Sequence, residues 1–194
     1  MERTDFKETI VYGGAFNPPT LAHKAILEAC MEYATCQNAD VWVVPSGDRA
    51  DKTIVTPRNV RVAYVEAMID SAENDTLKPE IITTELDRTT LIETYDTVKE
   101  LEAQYPQRRF TFVFGADSTQ TMATWKNGET LLEELSMLVI EREGSEINTL
   151  AKHAVRLQVK TPNVSSTEVR QRLANGEPVD DLVSSSVARV LQLT

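Results

Sequence analysis

The chain has 194 residues, 41% of them hydrophobic and 26% charged, which is typical of an ordinary globular protein and predicts a single domain over residues 1–194. Its 30 acidic and 20 basic residues give a net charge of −10, which argues against a nucleic-acid-binding surface. No apolar run approaches a membrane span and the opening residues do not resemble a signal peptide, so we expect a cytoplasmic protein with no membrane partner. Cys30 and Cys36 fit no metal or redox spacing, and we expect both to be buried reduced thiols.

Apolar runs typical of strands alternate with helical patterns along the chain, which predicts an α/β fold with a Rossmann-like, doubly wound, mainly parallel sheet and a helical C-terminal end. Strands are predicted over residues 9–12, 40–45, 80–84, 109–114, 136–141 and 155–159. Helices are predicted over residues 21–34, 56–71, 90–104, 166–175 and 184–191. Polar loops after parallel strands meet at the carboxyl edge of such a sheet, where ligands bind. This arrangement would bring together His23, Lys52, Asp117, Trp125 and Arg142.

A glycine pair follows the first predicted strand. Gly13 and Gly14 would let the backbone approach a phosphate, and the next helix, with His23 in its first turns, offers unpaired N–H groups to an anion. A tight βα turn with a structural histidine fits the same residues. The pattern therefore indicates a phosphate site without requiring one.

A second helix start carries hydroxyl and cationic groups. Ser165 with Glu168 three residues later forms a capping box, which is a sufficient structural explanation. Ser166 and Thr167 add hydroxyl donors, and Arg170 adds a planar fork suited to phosphate oxygens. This helix start is therefore a second candidate anion site.

Three segments resemble known motifs. The segment from Gly13 to His23, Gly-Gly-Ala-Phe-Asn-Pro-Pro-Thr-Leu-Ala-His, resembles the adenylyltransferase superfamily signature, Gly-Gly-x-Phe-Asp/Asn-Pro followed by His/Thr-x-Gly-His. Residues 163–170 resemble its Ile-Ser-Ser-Thr-x-Ile-Arg motif. Residues 112–118 followed by Trp125 resemble the strand-Gly-Ala-Asp segment and the tryptophan of the nicotinate mononucleotide branch.

The resemblance implies an enzyme that joins nicotinate mononucleotide and ATP to give deamido-NAD and pyrophosphate, with Mg²⁺ accompanying ATP and no metal ligand in the protein. The catalytic residues it implies are His23, Thr20, Arg170 and Lys52. The ATP-binding residues it implies are Gly13, Gly14, Phe16, His23, Gly115, Asp117, Ser165, Ser166, Thr167 and Arg170. The mononucleotide-binding residues it implies are Thr94, Trp125 and Arg142.

The chain departs from the family pattern at Thr20 and Ala22 in the first segment. It also departs at three other positions of resembled motifs, with Asp51 where the family has histidine, Glu93 where it has tyrosine and Glu143 where it has proline. One alternative is therefore an adenylyltransferase for nicotinamide mononucleotide or phosphopantetheine, and Thr20 has precedent in the pantetheine branch. Another alternative is a nucleotide-binding protein that does not catalyse. The preference for acid or amide and the oligomeric state, including a homo-oligomer, stay open.

Overall fold

The computed structural model describes residues 6–47, 54–72, 77–88, 90–91, 93–141 and 146–193. Within these ranges six strands form one sheet in the order β3-β2-β1-β4-β5-β6, and each neighbouring pair is parallel. The strands are β1 (Lys7–Gly14), β2 (Asp40–Pro45), β3 (Glu80–Ile81), β4 (Arg108–Gly115), β5 (Met137–Glu141) and β6 (Ala154–Gln158). The predicted doubly wound parallel sheet is confirmed.

Helices connect the strands and end the described chain. They are α1 (Leu21–Gln37), α2 (Arg58–Asp70), α3 (Thr94–Gln104), α4 (Ala116–Thr121), α5 (Gly128–Glu134), α6 (Ser166–Ala174) and α7 (Ser185–Leu191), with a short 3-10 helix over Met122–Thr124. The helical C-terminal end is confirmed. Across the described ranges, none of these helices is long and apolar enough to cross a membrane.

The sheet buries apolar side chains on both faces. Ile10 and Val41 belong to the hydrophobic cluster beneath α1, α2 and α7, whereas their neighbours Val11 and Trp42 belong to the cluster beneath α3 and α5. Successive side chains of a strand point to opposite faces, so a strand covered on both sides must be apolar throughout. This explains why the central strands are recognisable as continuous apolar runs.

Several predicted boundaries differ from the structure, and the contacts at three of them show why. Helix α2 begins at Arg58 because Pro57 occupies the cap position, and the Thr56 hydroxyl donates instead to Asn17 Oδ1 at 2.7 Å. Strand β3 ends at Ile81 rather than at residue 84, because the chain turns there and the Asp87 N–H bonds the Thr83 carbonyl at 3.0 Å. Helix α3 begins at Thr94 rather than at residue 90, with the preceding residue forming a capping box.

The prediction for the cysteines is correct for one of the two. Cys30 is buried in α1, and burial raises the pKa of its thiol to about 12. Cys36 is exposed near the end of the same helix, so the expectation that it is buried is wrong. Six residues of an α-helix amount to about 600° of rotation, which puts the two side chains on different faces.

Candidate functional site

A cleft of about 890 Å³ opens at the carboxyl ends of β1 and β4. These strands are adjacent, and the strand order reverses between them, which is where ligands bind in doubly wound sheets. Five of the predicted site residues line this cleft: Gly13, Gly14, Thr94, Gly115 and Trp125. The structure therefore brings together residues that are up to 112 positions apart in the chain.

The two glycines at the end of β1 serve different purposes. A Cβ on Gly14 would come within 2.9 Å of the Phe16 ring, so Gly14 is required by packing. A Cβ on Gly13 would meet nothing closer than the Val44 carbonyl oxygen at 4.0 Å, so its absence leaves open space beside the cleft. Gly13 is thus the position where the backbone is open to a ligand.

The Phe16 ring packs against the turn that contains Gly13 and Gly14. It is completely buried, and its ring packs edge-on against Tyr12 and His23 at centroid distances of 5.3 and 5.5 Å. Its backbone has φ of +44°, a left-handed conformation that a bulky residue holds only when its surroundings compensate. Its side chain therefore stabilises the turn that follows the glycines, and its predicted part in binding ATP stays a prediction.

His23 is oriented by Thr20. The His23 Nδ1 accepts the Thr20 backbone N–H at 3.1 Å and lies 2.8 Å from the Thr20 hydroxyl. Because an accepting nitrogen of a neutral imidazole carries no proton, the proton of that form is on Nε2. Thr20 is 2% exposed and its hydroxyl faces the histidine, so it positions the imidazole; its predicted contact with phosphate stays a prediction.

The start of α6 packs on the turn that leads into α1. The Ser166 hydroxyl donates to the Pro18 carbonyl at 2.8 Å, and Arg170 Nη1 donates to the Asn17 carbonyl at 2.6 Å. Arg170 Nη2 also lies 3.1 Å from Thr167 Oγ1. The Ser165 hydroxyl caps the helix by accepting the Glu168 N–H at 3.1 Å, which is one half of the predicted capping box, whereas the Glu168 carboxylate accepts from Arg172 Nη2 at 2.7 Å.

The two predicted anion sites therefore meet at one segment, residues 17–20, which continues the chain beyond the cleft-lining Ala15. His23 and Arg170 are not themselves among the residues that line the cleft. They contact opposite ends of the segment that follows the glycine turn. This arrangement keeps an imidazole and a guanidinium beside a single loop.

Arg61 is a residue of this region that sequence reasoning missed. It is 4% exposed, and its Nη1 donates to the Ala15 carbonyl at 3.2 Å and to the Ser46 carbonyl at 2.6 Å. It thereby joins the loops that follow β1 and β2, both of which line the cleft. A signal existed, because Arg61 lies on the same helix face as Tyr64, Val65 and Met68, where a charged residue is unusual.

The other end of the cleft holds an aromatic ring and an ionic connection. Trp125 packs edge-on against Phe114 at a centroid distance of 6.1 Å. The Lys126 backbone N–H donates to Glu93 Oε2 at 3.2 Å, and its ammonium bonds Asp96 Oδ1 at 2.6 Å. The hydrogen bond from Lys126 lowers the pKa of Asp96, and the same bond raises the pKa of Lys126. The loop with Trp125 is thus attached to the start of α3.

Glu85 is a second cleft residue that the sequence did not reveal. Its Oε1 accepts the Thr97 hydroxyl at 2.7 Å and its Oε2 accepts the Gly47 N–H at 3.2 Å. These bonds join α3 to the loop after β2. No local pattern indicates this, because the partners lie 12 and 38 residues away.

The remaining predicted residues are placed less directly. Asp117 is exposed in the first turn of α4, and its carboxylate lies where a Cβ on Gly115 would be, but its neighbour Ser118 is the one that lines the cleft. Lys52 and Arg142 lie outside the described residues, so their contacts with a substrate stay predictions.

Comparisons with known proteins agree with this geometry. A family model described as cytidylyltransferase-like matches residues 11–172. A protein of Exiguobacterium sibiricum named "probable nicotinate-nucleotide adenylyltransferase" is 33% identical over 183 residues, covering 93% of each chain. A protein of the same name from Halalkalibacterium halodurans is 31% identical, covering 92% of this chain and 86% of the other.

The fold is similar to that of solved structures. The Plasmodium falciparum nicotinic acid mononucleotide adenylyltransferase, in a structure titled as complexed with NaAD, superposes with a TM-score of 0.79 and 23% identity, covering 96% of this chain and 95% of the other. The same enzyme titled as complexed with APC gives a TM-score of 0.77 and 22% identity. At this identity the likeness establishes the fold alone.

Proposed function

The chain belongs to the cytidylyltransferase-like family and to its nicotinate-nucleotide adenylyltransferases, and on that premise we propose that it joins nicotinate mononucleotide to ATP. The products are deamido-NAD and pyrophosphate. One structural observation carries the proposal: a single cleft at the strand-order reversal is lined both by Gly13, Gly14 and Gly115 and by Thr94 and Trp125. Such a cleft has room for a nucleotide's phosphates and for a flat heterocycle together.

The proposed reaction is an in-line displacement. The 5′-phosphate of the mononucleotide attacks the α-phosphorus of ATP, the new phosphoanhydride bond forms, and pyrophosphate leaves with the electron pair of the broken bond. The nucleophile is already an anion, so the reaction depends on positioning and charge neutralisation more than on a general base. No covalent intermediate with the protein is involved.

His23 is the proposed donor to the phosphate oxygens. The bond from Thr20 to its Nδ1 leaves the Nε2 proton as the one the imidazole donates, and a fixed donor is worth most where charge develops in the transition state. Arg170 and Lys52 are proposed to bind the β- and γ-phosphates. The α6 start, with Ser165 as its cap, would add backbone and hydroxyl donors.

The mononucleotide is proposed to bind beside Trp125. An indole ring that lines an open cleft offers a flat surface for stacking on a pyridine ring. Thr94 lies next to it at the first position of α3, and Arg142 is proposed to meet the carboxylate or the phosphate of the mononucleotide. The adenosine is proposed to bind beside Gly115 and Asp117.

Mg²⁺ is proposed to arrive with ATP. Protein-bound Mg²⁺ in such reactions is held largely by substrate phosphates and water, which requires no carboxylate cluster. Over the described ranges, no group of three or more His, Cys, Asp or Glu side chains could hold a metal ion. When bound, the ion neutralises charge on the triphosphate and eases the departure of pyrophosphate.

The test is pyrophosphate release from ATP and Mg²⁺ with nicotinate mononucleotide, nicotinamide mononucleotide or phosphopantetheine, with the dinucleotide product identified by mass. We expect release with nicotinate mononucleotide and a product of the mass of deamido-NAD. Release with phosphopantetheine alone would contradict the proposal. ATP binding without release on any of the three acceptors would favour the non-catalytic alternative.

A further inference from the structure

A carboxylate of the protein lies at the end of the cleft assigned to the pyridine ring. Glu93 lines the cleft together with Thr94, Trp125 and Lys126. Its Oε2 accepts the backbone N–H of Lys126, the residue after Trp125, at 3.2 Å. Its backbone N–H donates to Asp96 Oδ2 at 3.4 Å, at the start of α3. Glu93 is one of the positions where the chain departs from the resembled motif.

Among the described residues that line the cleft, the one cation is Lys126, whose backbone N–H bonds Glu93. Among the cleft-lining residues that the structure describes, the ionised groups are Glu85, Glu93 and Lys126. The Lys126 ammonium is already paired with Asp96 at 2.6 Å. Glu85 is held in the cleft by the Thr97 hydroxyl at 2.7 Å. This end of the cleft therefore offers an acceptor-rich surface whose described cation is neutralised within the protein.

The two pyridine mononucleotides differ only in the group that this surface would meet. Nicotinate carries a carboxylate, which accepts hydrogen bonds and is negatively charged. Nicotinamide carries a neutral carboxamide whose NH₂ group donates two hydrogen bonds. A substrate carboxylate beside Trp125 would compete with Glu93 for the Lys126 N–H and would be repelled by the charge of Glu93. A substrate carboxamide can instead donate a hydrogen bond to Glu93.

We propose that Glu93 determines the specificity for the pyridine substituent, because its charge opposes the acid and its oxygens accept from the amide. The enzyme then uses nicotinamide mononucleotide as well as nicotinate mononucleotide. This inference rests on the proposed function, since it requires a pyridine mononucleotide in the cleft. It adds a residue and a second substrate to that function.

The experiment compares kcat/KM for the two mononucleotides with ATP and Mg²⁺ in the wild type and in Glu93→Gln. Glutamine keeps the length of the side chain and an oxygen that can accept the Lys126 N–H, but it removes the charge. In Glu93→Gln we expect the ratio of kcat/KM for nicotinate mononucleotide to kcat/KM for nicotinamide mononucleotide to rise about tenfold. The rise should come chiefly from a lower KM for nicotinate mononucleotide, because the variant no longer repels its carboxylate.

The matched control is Glu102→Gln. Glu102 lies on the same helix, is exposed and pairs with Lys99 at 2.9 Å, away from the cleft. Its removal changes the net charge equally and should leave the ratio within about twofold of the wild type. Circular dichroism and the thermal midpoint establish that both variants are folded.

The outcomes separate the inference from the proposed function. A ratio that rises in Glu93→Gln and not in Glu102→Gln supports Glu93 as the specificity residue. An active wild type whose ratio is unchanged or lowered in Glu93→Gln overturns the inference and leaves the proposed function standing. A wild type that releases pyrophosphate with neither mononucleotide overturns both.

Discussion

A buried or half-buried arginine lies at each end of the sheet, and the two arginines have different roles. At the amino ends of the central strands, Arg108 Nη1 donates to Asp40 Oδ2 at 2.6 Å and to Thr9 Oγ1 at 2.7 Å, and its guanidinium lies 4.6 Å from the centre of the Trp42 ring. At the carboxyl ends, Arg61 donates to the carbonyl groups of two loops that line the cleft. One arginine closes an ionic cluster and the other holds substrate loops in place.

The difference shows how this fold divides stability from function. At the amino end, a carboxylate, a hydroxyl and an aromatic ring surround Arg108 and join β1, β2 and β4. At the carboxyl end, β1 and β4 finish in glycines that line the cleft, and polar groups hold loops. We therefore expect substitutions at the carboxyl end to change activity, and those at the amino end to change the free energy of unfolding.

The largest effect is expected at His23. His23→Ala removes the proposed donor to the developing negative charge, so kcat should fall by about 10²–10³, with circular dichroism unchanged. His153→Ala is the control, because His153 is exposed and distant from every motif. Near-normal pyrophosphate release from His23→Ala would show that His23 has only a structural role, like that of Arg108 at the amino end of the sheet.

A matched pair of arginine substitutions compares the contributions of the two ends of the sheet to activity. Arg61→Lys keeps the charge but loses the guanidinium whose Nη1 donates to both the Ala15 and the Ser46 carbonyl, so kcat/KM should fall about tenfold. Arg108→Lys makes the same chemical change at the other end and should leave kcat/KM within about twofold. Equal losses of activity in the two variants would contradict the division between the ends.

The smallest effect on activity is expected at Asp40. Partial burial alone would raise the pKa of Asp40, but hydrogen bonds from Arg108 and Lys7 outweigh it and hold the pKa below its usual value. Asp40→Asn should lower the free energy of unfolding by about 1–2 kcal/mol at pH 7 with kcat unchanged.

The pH dependence of that loss follows from the sign of the shift. A carboxyl group with a lowered pKa in the folded state contributes stability above its unfolded pKa of about 4, and this stability is lost as the pH falls through the folded pKa. The difference in free energy of unfolding between wild type and Asp40→Asn should therefore be full at pH 7 and shrink below about pH 4. A difference that is independent of pH would mean that Asp40 acts by packing rather than by its charge.

Local patterns predicted the sheet and the turn at its centre. A strand buried on both faces is almost continuously apolar, so β2 is recognisable from composition alone. Gly14 is recognisable because it follows a strand and precedes a helix start. The two motifs predicted that His23 and Arg170 act on one triphosphate; the structure shows that they contact opposite ends of residues 17–20, and their shared ligand stays a prediction.

Contacts between distant residues could not be predicted. Arg61 reaches Ala15 across 46 positions, and Glu85 reaches Gly47 across 38. The partners of Thr20 and the burial of Phe16 follow from how the turn folds on α1, which no periodicity encodes. The carboxylate of Glu93 became informative only when the structure placed it on the Lys126 N–H beside Trp125.

The most direct measurement is a crystal structure of the protein with deamido-NAD, the proposed product. The account predicts the dinucleotide in the cleft between the ends of β1 and β4, with the pyridine ring on Trp125, the phosphates beside Gly13 and the adenosine beside Gly115. A dinucleotide bound elsewhere on the protein, with this cleft left to solvent, would contradict the account.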